Sequence, residues 1–203
     1  DNPDSTAIKV ALAQQTETLS DNISATRERV VTLQTQINDE MGVAVVEVNR
    51  IASSIADLSK SINEVESVGG DNANDLRDQR NVLELSLAKL IGADVLNGNI
   101  VSDMSVDSRV AETGGSYTIQ VGGFNIVDGG TFHPIGVDNR DNPAGLYDLY
   151  YERQDGVRIP METEVTGGKI GAILDLRGKE LDSLGIPQNG DLQDTINQLD
   201  AFA

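Results

Sequence analysis

An apolar stripe at heptad spacing organises residues 4–68, and no proline interrupts that segment. In its second half, two sets of residues seven apart and offset by three form the stripe: Met41, Val48, Ile55 and Ile62, with Ala44, Ile51, Leu58 and Val65. A seam one side chain wide is typical of a helix packed against other helices. An unbroken helix here would be a rod about 97 Å long. We therefore predict a packing element, a spacer or scaffold, that carries no chemistry.

The first half of the segment has a related stripe in another register, with Thr26 as a polar break. One seam position is held by Leu12, Leu19 and Leu33, and the other by Ile23, Val30 and Ile37. The registers differ by four residues between Ile37 and Met41, a stutter that locally unwinds a supercoil. Together with Gly42 it predicts a bend, a kink or a short loop. Two antiparallel helices that turn at residues 39–42 are the alternative to one near-continuous rod.

Composition limits the classes of protein to which this chain can belong. Its 203 residues suit one domain, or a rod with one appended domain. Three Phe, four Tyr and no Trp favour a thin aliphatic core. The formal charge of −18 opposes binding to nucleic acid or to an anionic membrane. The absence of cysteine excludes disulfides, thiolate zinc sites and cysteine nucleophiles.

The two ends of the sequence bear on where the protein resides. No apolar run is long enough to cross a bilayer, and no signal peptide opens the chain. Asp1 stands in a polar approach to a helix, and Ala203 stands inside an amphipathic one. We therefore expect an excised fragment of a longer protein.

Capping residues and apolar spacing predict where the helices begin and end. Asp4 or Ser5 is expected to cap the first helix. A second helix is predicted over Asn74–Ile91, capped by Asp71, Asn72 or Asn74 and stopped by Gly92. Its predicted buried stripe consists of Leu76, Leu83, Leu87 and Leu90.

From residue 93 the runs become short and rich in Gly, Asn, Asp and Thr. Candidate strands are residues 100–104, 117–121, 124–127, 147–151 and 157–159. The clearest hairpin joins two alternating runs through Gly122 and Gly123, and residues 154–156 form a second candidate turn. We predict that residues 93–165 form a small antiparallel β subdomain.

Helical spacing returns after Gly167 and Gly168. A third helix is predicted from the spacing of Ile170, Ile173, Leu174 and Leu181. A last helix, capped by Asp191 with Asp194, has the predicted stripe Leu192, Ile196, Leu199 and Phe202. We expect it to run back along the rod. The predicted fold class is α+β: a long-helix bundle of residues 1–92 and 166–203, with residues 93–165 inserted as the β subdomain.

A search for reactive groups finds no site. His133 is the one histidine and has no second histidine as a partner. Calcium loops starting at Asp71 or Asp138 have Ala73 or Arg140 where an oxygen ligand is required. The glycine pairs match neither a phosphate loop nor a nucleophile elbow. We predict no catalytic, cofactor-binding or metal-binding residue, no cofactor, and a protein that is not an enzyme.

Three arginines lie among carboxylates on predicted helices. Arg77 and Arg80 are close in sequence to Asp75 and Asp78, and Arg177 follows Asp175. Such pairs could fix the register between helices, or they could be exposed pairs worth ~0–1 kcal/mol. The family resemblance given below favours the register role.

Two motifs in this order around a rod carry a family resemblance. Residues 74–81 read NDLRDQRN, and residues 167–177 read GGKIGAILDLR after the strand-rich insert. Over residues 35–200 the chain resembles the bacterial flagellar hook-associated protein 1 family. The insert matches that family in placement rather than in residues, and Gly42 with the stutter departs from a straight rod.

The resemblance implies a structural protein at the junction between hook and filament, with no catalytic residues to carry over. It implies assembly with copies of itself, with hook protein and with hook-associated protein 3, after export to the extracellular flagellum without a cleaved signal peptide. The family's terminal coiled-coil segments are absent from this sequence, so a monomer in solution is expected. The alternatives are another axial protein, either hook-associated protein 3 or flagellin, and a secreted adhesin-like binding module.

Overall fold

The computed structural model describes residues 3–67, 73–97, 117–140, 142, 144–181, 187–188 and 190–202. Helices in these residues are α1 (Pro3–Ser67), α2 (Asn74–Ile91), α3 (Gly168–Arg177) and α4 (Asp191–Phe202). Strands are β1 (Asp94–Asn97), β2 (Tyr117–Val121), β3 (Phe124–Asp128), β4 (Thr131–Phe132), β5 (Ile135–Asp138), β6 (Asp148–Glu152), β7 (Arg158–Pro160), β8 (Glu180–Leu181) and β9 (Pro187–Gln188). The predicted fold class, a long helix with antiparallel strands inserted, is confirmed.

The strands that the structure describes pair antiparallel in three sheets, ordered β1-β2-β3-β4, β5-β6-β7 and β8-β9. The hairpin of β2 and β3 turns at Gly122 and Gly123 as predicted, because both glycines have positive φ. The predicted strands at 147–151 and 157–159 are each shifted by one residue. The predicted strand at 100–104 lies outside the described residues. Strands β1, β4, β5, β8 and β9 were not predicted.

Helix α1 is continuous through Gly42, so the expected short loop and the alternative of two helices turning at 39–42 are wrong. A Cβ at Gly42 would lie 3.3 Å from the Tyr147 ring, which indicates that this glycine makes room for a side chain of the insert. The helix begins at Pro3, a residue favoured in the first turn. Asp4 and Ser5 therefore lie inside the helix rather than at the N-cap position predicted for them.

The second half of α1 is the centre of the hydrophobic core. Its predicted seam is buried at Met41, Val48, Ile55 and Ile62. The same core includes Leu87 of α2, Ile170 of α3 and residues of both larger sheets. Burying aliphatic surface of this kind contributes about 25 cal/mol per Å². The seam ends before Val65, which is 42% exposed.

The first half of α1 does not have the packing that its stripe predicts. Leu12, Leu19 and Leu33 are 61%, 60% and 46% exposed. Ile23, Val30 and Ile37 are half-buried. The heptad stripe of the first half is present in the sequence. Within the described chain, however, other elements pack on this apolar face of α1 only from about Ile23 onward.

Helix α2 has the predicted bounds. Gly92 ends it in the left-handed conformation (φ 68°) and donates its N–H to the Ala88 carbonyl. Its N-cap is Ala73, whose side chain makes no capping bond. The predicted cap at Asn74 is therefore wrong, and Asp71 and Asn72 lie outside the described residues.

Helices α3 and α4 close the bundle against α1. Ile170, Ile173 and Leu174 are buried as predicted, whereas Leu181 belongs to β8 because Gly178 ends α3. Helix α4 runs antiparallel along α1 as predicted, with Ile196 buried. Its first residue is Asp191, and Phe202, predicted to be buried, is 77% exposed.

Candidate functional site: the helix–sheet junction

Arg177, the last residue of α3, joins the helices to the sheet β5-β6-β7. Its side chain is 3% exposed. Nη2 donates to the Tyr147 carbonyl just before β6, and Nη1 lies 3.4 Å from Asn38 Oδ1 of α1. Within the described chain its Nε has no hydrogen-bond partner. The arginine predicted to set helix register therefore connects a helix to the inserted strands.

Two buried amides of α1 complete this connection. Asn38 Oδ1 accepts from the Tyr147 N–H at 2.9 Å. Gln34 Nε2 donates to the Arg177 carbonyl at 3.1 Å and to Gln193 Oε1 of α4 at 3.2 Å. Since a buried polar group is costly unless it is hydrogen-bonded, these amides fix the positions of α3, α4 and the insert along α1.

The carboxylate of Glu162 lies 4.0 Å from Arg177 and is 15% exposed. Burial raises the pKa of Glu162, although the Leu149 N–H donates to its carboxylate at 2.9 Å. Burial also lowers the pKa of Arg177. Burial therefore outweighs the mutual attraction at both groups, as expected for a long, partly compensated buried pair.

Asn49 of α1 makes a second connection to the same sheet. Its Nδ2 donates to the Ile135 carbonyl at 2.7 Å, and its Oδ1 accepts from the Ile135 N–H at 3.1 Å. Ile135 opens β5, an edge strand of its sheet. The amide therefore takes the place of a neighbouring strand at this residue.

Arg80 and Arg77 join α2 to α1 and to the first sheet. The Arg80 guanidinium lies over the Tyr117 ring, 3.8 Å from its centroid. Arg80 also forms an ion pair with Glu84 at 3.3 Å. The Glu84 carboxylate in turn accepts a hydrogen bond from the Tyr117 hydroxyl at 2.7 Å. Burial is the largest cause of a strongly raised Tyr117 pKa. Arg77 pairs with Glu66 of α1 at 2.9 Å. Arg77 therefore makes an ion pair between two helices through Glu66, and its role in setting their register stays a prediction.

The structure separates the other residues that the sequence singled out. Asp175 pairs with Lys179 at 2.7 Å rather than with Arg177. The His133 ring lies 6.2 Å from the Tyr151 ring, between β4 and β5. Among the described residues, no group of three or more His, Asp or Glu could hold a metal ion. None of the helices described is long and apolar enough to span a membrane.

Sequence reasoning missed Gln34, Asn38 and Asn49. The available signal was the position of Gln34 and Asn38, four residues apart on the face of α1 that also carries Met41. A polar residue on a helix face that is otherwise apolar needs a buried partner. The hydrogen-bond partners of these amides are largely backbone groups. Because every residue has such groups, the sequence alone does not predict the contacts.

Comparison with known proteins places this geometry in context. Residues 1–203 match the model of the helical domain of flagellar hook-associated protein FlgK. The chain is 28% identical over 185 residues to flagellar hook-associated protein 1 of Salmonella typhimurium strain LT2, a match that covers 89% of this chain and 31% of that protein. The chain is also 28% identical over 185 residues to flagellar hook-associated protein 1 of Escherichia coli K12. That match covers 89% of this chain and 31% of that protein.

A solved structure has a similar fold. It is that of the flagellar hook junction protein FlgK from Burkholderia pseudomallei, with a TM-score of 0.63 and 21% sequence identity. The match covers 79% of this chain and 27% of that one. The chain thus spans under a third of the length of the relatives and of the solved structure that it resembles.

Proposed function

Because this chain belongs to the FlgK family of flagellar hook-associated proteins, we propose that it is a structural part of the junction between hook and filament in the bacterial flagellum. The observation that carries the proposal is the match of the whole chain to the FlgK helical domain. The hydrogen-bonded connection of an inserted sheet to one long helix supports a role as a scaffold. Asn38, Asn49 and Arg177 make this connection.

In this proposal residues 1–92 and 166–203 form the helical rod, and residues 93–165 form an inserted β-rich unit. The hydrophobic core continues from α1 into the strands, with Met41, Ile119 and Leu149 in the same cluster. This shared core argues that the two units hold a fixed orientation. A fixed orientation suits a protein that must transmit load between neighbours.

The proposed partners are copies of the same protein, hook protein and hook-associated protein 3. Repeated side-by-side packing through different surfaces would build an open helical layer. The chain of residues 1–203 is expected to be monomeric in solution. Its formal charge of −18 supports the absence of nucleic-acid or anionic-membrane partners.

The proposed location is the extracellular flagellum, reached without a cleaved signal peptide. The proposed role is not enzymatic. It needs no cofactor, and Asn38, Asn49 and Arg177 hold the insert on the helices through hydrogen bonds to its backbone.

Genetic complementation tests the proposal. A bacterium that carries this protein, with its own copy of the gene deleted, should lose attached filaments in electron micrographs and should not spread in soft agar. The full-length polypeptide should restore both. Normal filament attachment in the deletion strain would contradict the proposal, and a loss confined to surface adhesion would favour the adhesin-like module.

A matched pair of variants connects the test to the structure. Full-length protein with Arg177→Met should be made but should restore attachment poorly, because the helix–sheet junction is disrupted. Arg153→Ala removes an exposed arginine paired with Asp155 and should restore attachment fully. Deleting residues 93–165 is a weaker test, since it would remove part of the common core.

A further inference from the structure

Helices α1 and α2 each have an exposed face with the same spacing of residue types. The α1 outer face consists of Asp39, Val43, Val46 and Arg50, and the α2 outer face consists of Asp78, Val82, Leu85 and Lys89. On each face an apolar pair begins four residues after an aspartate and ends four residues before a basic residue. The two faces are therefore alike in spacing and in charge pattern.

The two outer faces lie on opposite sides of the packed pair of helices. At 3.6 residues per turn, each face is centred about 170° around its helix from a core residue, Val48 in α1 and Leu87 in α2. Both core residues belong to the cluster in which α1 and α2 pack together. The four apolar side chains are consequently open to solvent, with exposed fractions of 71% for Val43, 70% for Val46, 66% for Val82 and 59% for Leu85.

Helices α1 and α2 of one copy are antiparallel. Arg77, near the start of α2, pairs with Glu66 near the end of α1, whereas Arg80 reaches back to Ser59. A second copy that points in the same direction as the first therefore brings its α2 antiparallel to the α1 of the first copy.

In that orientation the charges of the two outer faces are complementary. When the apolar pairs of the two faces meet, Asp39 lies opposite Lys89 of the next copy, and Arg50 lies opposite its Asp78. With the helices parallel, the same spacing would place aspartate against aspartate and Arg50 against Lys89, and like charges across an interface repel. Within the described chain Asp39, Asp78 and Lys89 make no ion pair, and Arg50 has an exposed pair with Glu47.

We propose that the α1 outer face packs against the α2 outer face of the next copy, so that copies stack side by side in one direction. This inference rests on the structural role in the flagellum proposed above, and it names the surfaces through which the copies pack. Because the two surfaces differ, the contact can repeat without closing into a dimer. The matched register displaces each copy by about 13 residues, or ~20 Å, toward the beginning of α1, which gives a staggered layer.

The size of the contact fits a protein that assembles only among many neighbours. Four side chains on each face bury far less than the ~800 Å² per partner of a standard stable interface. Residues 1–203 alone should therefore stay monomeric, and the contact should form in the assembled layer.

A two-fold contact between two α1 outer faces would also bring Asp39 opposite Arg50. It would leave the α2 outer face unused and would point neighbouring copies in opposite directions. Such a contact closes a dimer and does not build an open layer, so the proposed role favours the contact between different faces.

Disulfide cross-linking tests the proposal, because residues 1–203 contain no natural cysteine. The full-length protein with Val43→Cys and Leu85→Cys, and no other thiol, replaces the natural copy in the bacterium. Oxidation of isolated flagella should give a ladder of covalent dimers, trimers and longer chains. Two thiols on opposite sides of one copy can join only neighbouring copies.

The matched control combines Val43→Cys with Gln79→Cys. Gln79 is also exposed on α2, but it projects about 90° from the centre of the α2 outer face. This protein should give at least about tenfold less of the ladder, because a disulfide needs its two Cβ atoms about 4 Å apart.

Three results would overturn the proposal. Dimers from Val43→Cys alone would identify the two-fold contact instead. The absence of a ladder from flagella with attached filaments would exclude the contact and leave the structural role intact. Protection of both thiols from maleimide in the full-length monomer would show that another part of the polypeptide covers these faces. Failure of the structural role is a separate observation, namely filaments that stay attached in the deletion strain.

Charge exchange tests the same contact without thiols. Asp39→Lys and Lys89→Asp should each reduce the number of attached filaments per cell at least about twofold, and the double variant should restore it. Loss that the double variant does not restore would contradict the proposed pairing. Rescue of Asp39→Lys by Arg50→Asp, but not by Lys89→Asp, would again identify the two-fold contact and overturn the proposal.

Discussion

Asn49 of α1 brackets the backbone of Ile135, donating to its carbonyl at 2.7 Å and accepting from its N–H at 3.1 Å. One side chain thus satisfies both polar groups of a residue that is 2% exposed. The edge strand β5 is positioned by a helix in the way that another strand would position it. The orientation of the sheet on the rod therefore depends on a few polar contacts as well as on apolar packing.

Replacing Asn49 with alanine should lower the free energy of unfolding by about 2 kcal/mol, because it leaves two buried backbone groups of Ile135 without partners. Asn63→Ala is the control, since Asn63 is exposed on the same half of this helix and the change in helix propensity is identical. Urea denaturation measures both variants. Equal effects from the two substitutions would show that the Asn49 bonds are not significant.

Replacing Arg177 with methionine should lower the free energy of unfolding by about 3 kcal/mol. The Tyr147 carbonyl loses its buried donor, and Glu162 loses the nearest positive charge. Arg153→Ala, at an exposed ion pair with Asp155, should change stability by less than about 0.5 kcal/mol. A methionine variant as stable as the control would argue that hydrophobic packing alone holds the junction.

Glu162 should make stability depend on pH. Burial, the largest cause, raises its pKa, and nearby Asp148 acts in the same direction, while the Leu149 N–H and Arg177 oppose the change. Because the folded state holds this proton more tightly, the stabilisation is complete below the pKa of the unfolded chain and is lost as pH rises through the folded pKa. Glu162→Gln removes the titration. Its stability relative to the unsubstituted protein should increase between pH 4 and pH 7 in urea titrations, and a difference that is constant or falls with pH would refute this.

Two helical glycines should respond oppositely to alanine. At Gly42 the nearest atom to a new Cβ is a ring carbon of Tyr147 at 3.3 Å, and the ring can shift slightly. Since alanine favours the helix by about 1 kcal/mol, Gly42→Ala should gain about 0.5 kcal/mol net. At Gly171 the nearest atom is the backbone carbon of Thr166 at 2.7 Å, so Gly171→Ala should lose about 2 kcal/mol. Thermal denaturation distinguishes them, and a common sign for both would contradict the packing described.

The parts of the fold that sequence predicted are those with a repeating apolar signal. The seam through Met41, Val48 and Ile55 predicted a buried helix. Gly92 predicted the end of α2, and in the structure it adopts the left-handed conformation that ends the helix. Gly122 with Gly123 predicted the first hairpin, and both have positive φ. In each case the physical cause is local, because it depends on helix period or on backbone freedom.

The parts that sequence did not predict depend on distant neighbours. Strands β1 and β5 have four residues each, too few for alternation to be distinctive. Arg177 and Asn49 recognise backbone groups, which every residue has. Leu181 fitted the helical spacing, but the backbone at Gly178 (φ 102°) turns the chain into β8.

Because the first half of α1 is exposed and the second half is buried, this helix should not unfold in a single cooperative step. Residues 6–22 are almost entirely exposed to solvent, and helices of this length are marginal in water without tertiary support. On warming residues 1–203, fraying should start at Pro3 and advance inward until it reaches the Arg27–Asp200 pair. Far-ultraviolet dichroism should then decline gradually while the tyrosine environments stay unchanged, before the remainder unfolds in one step.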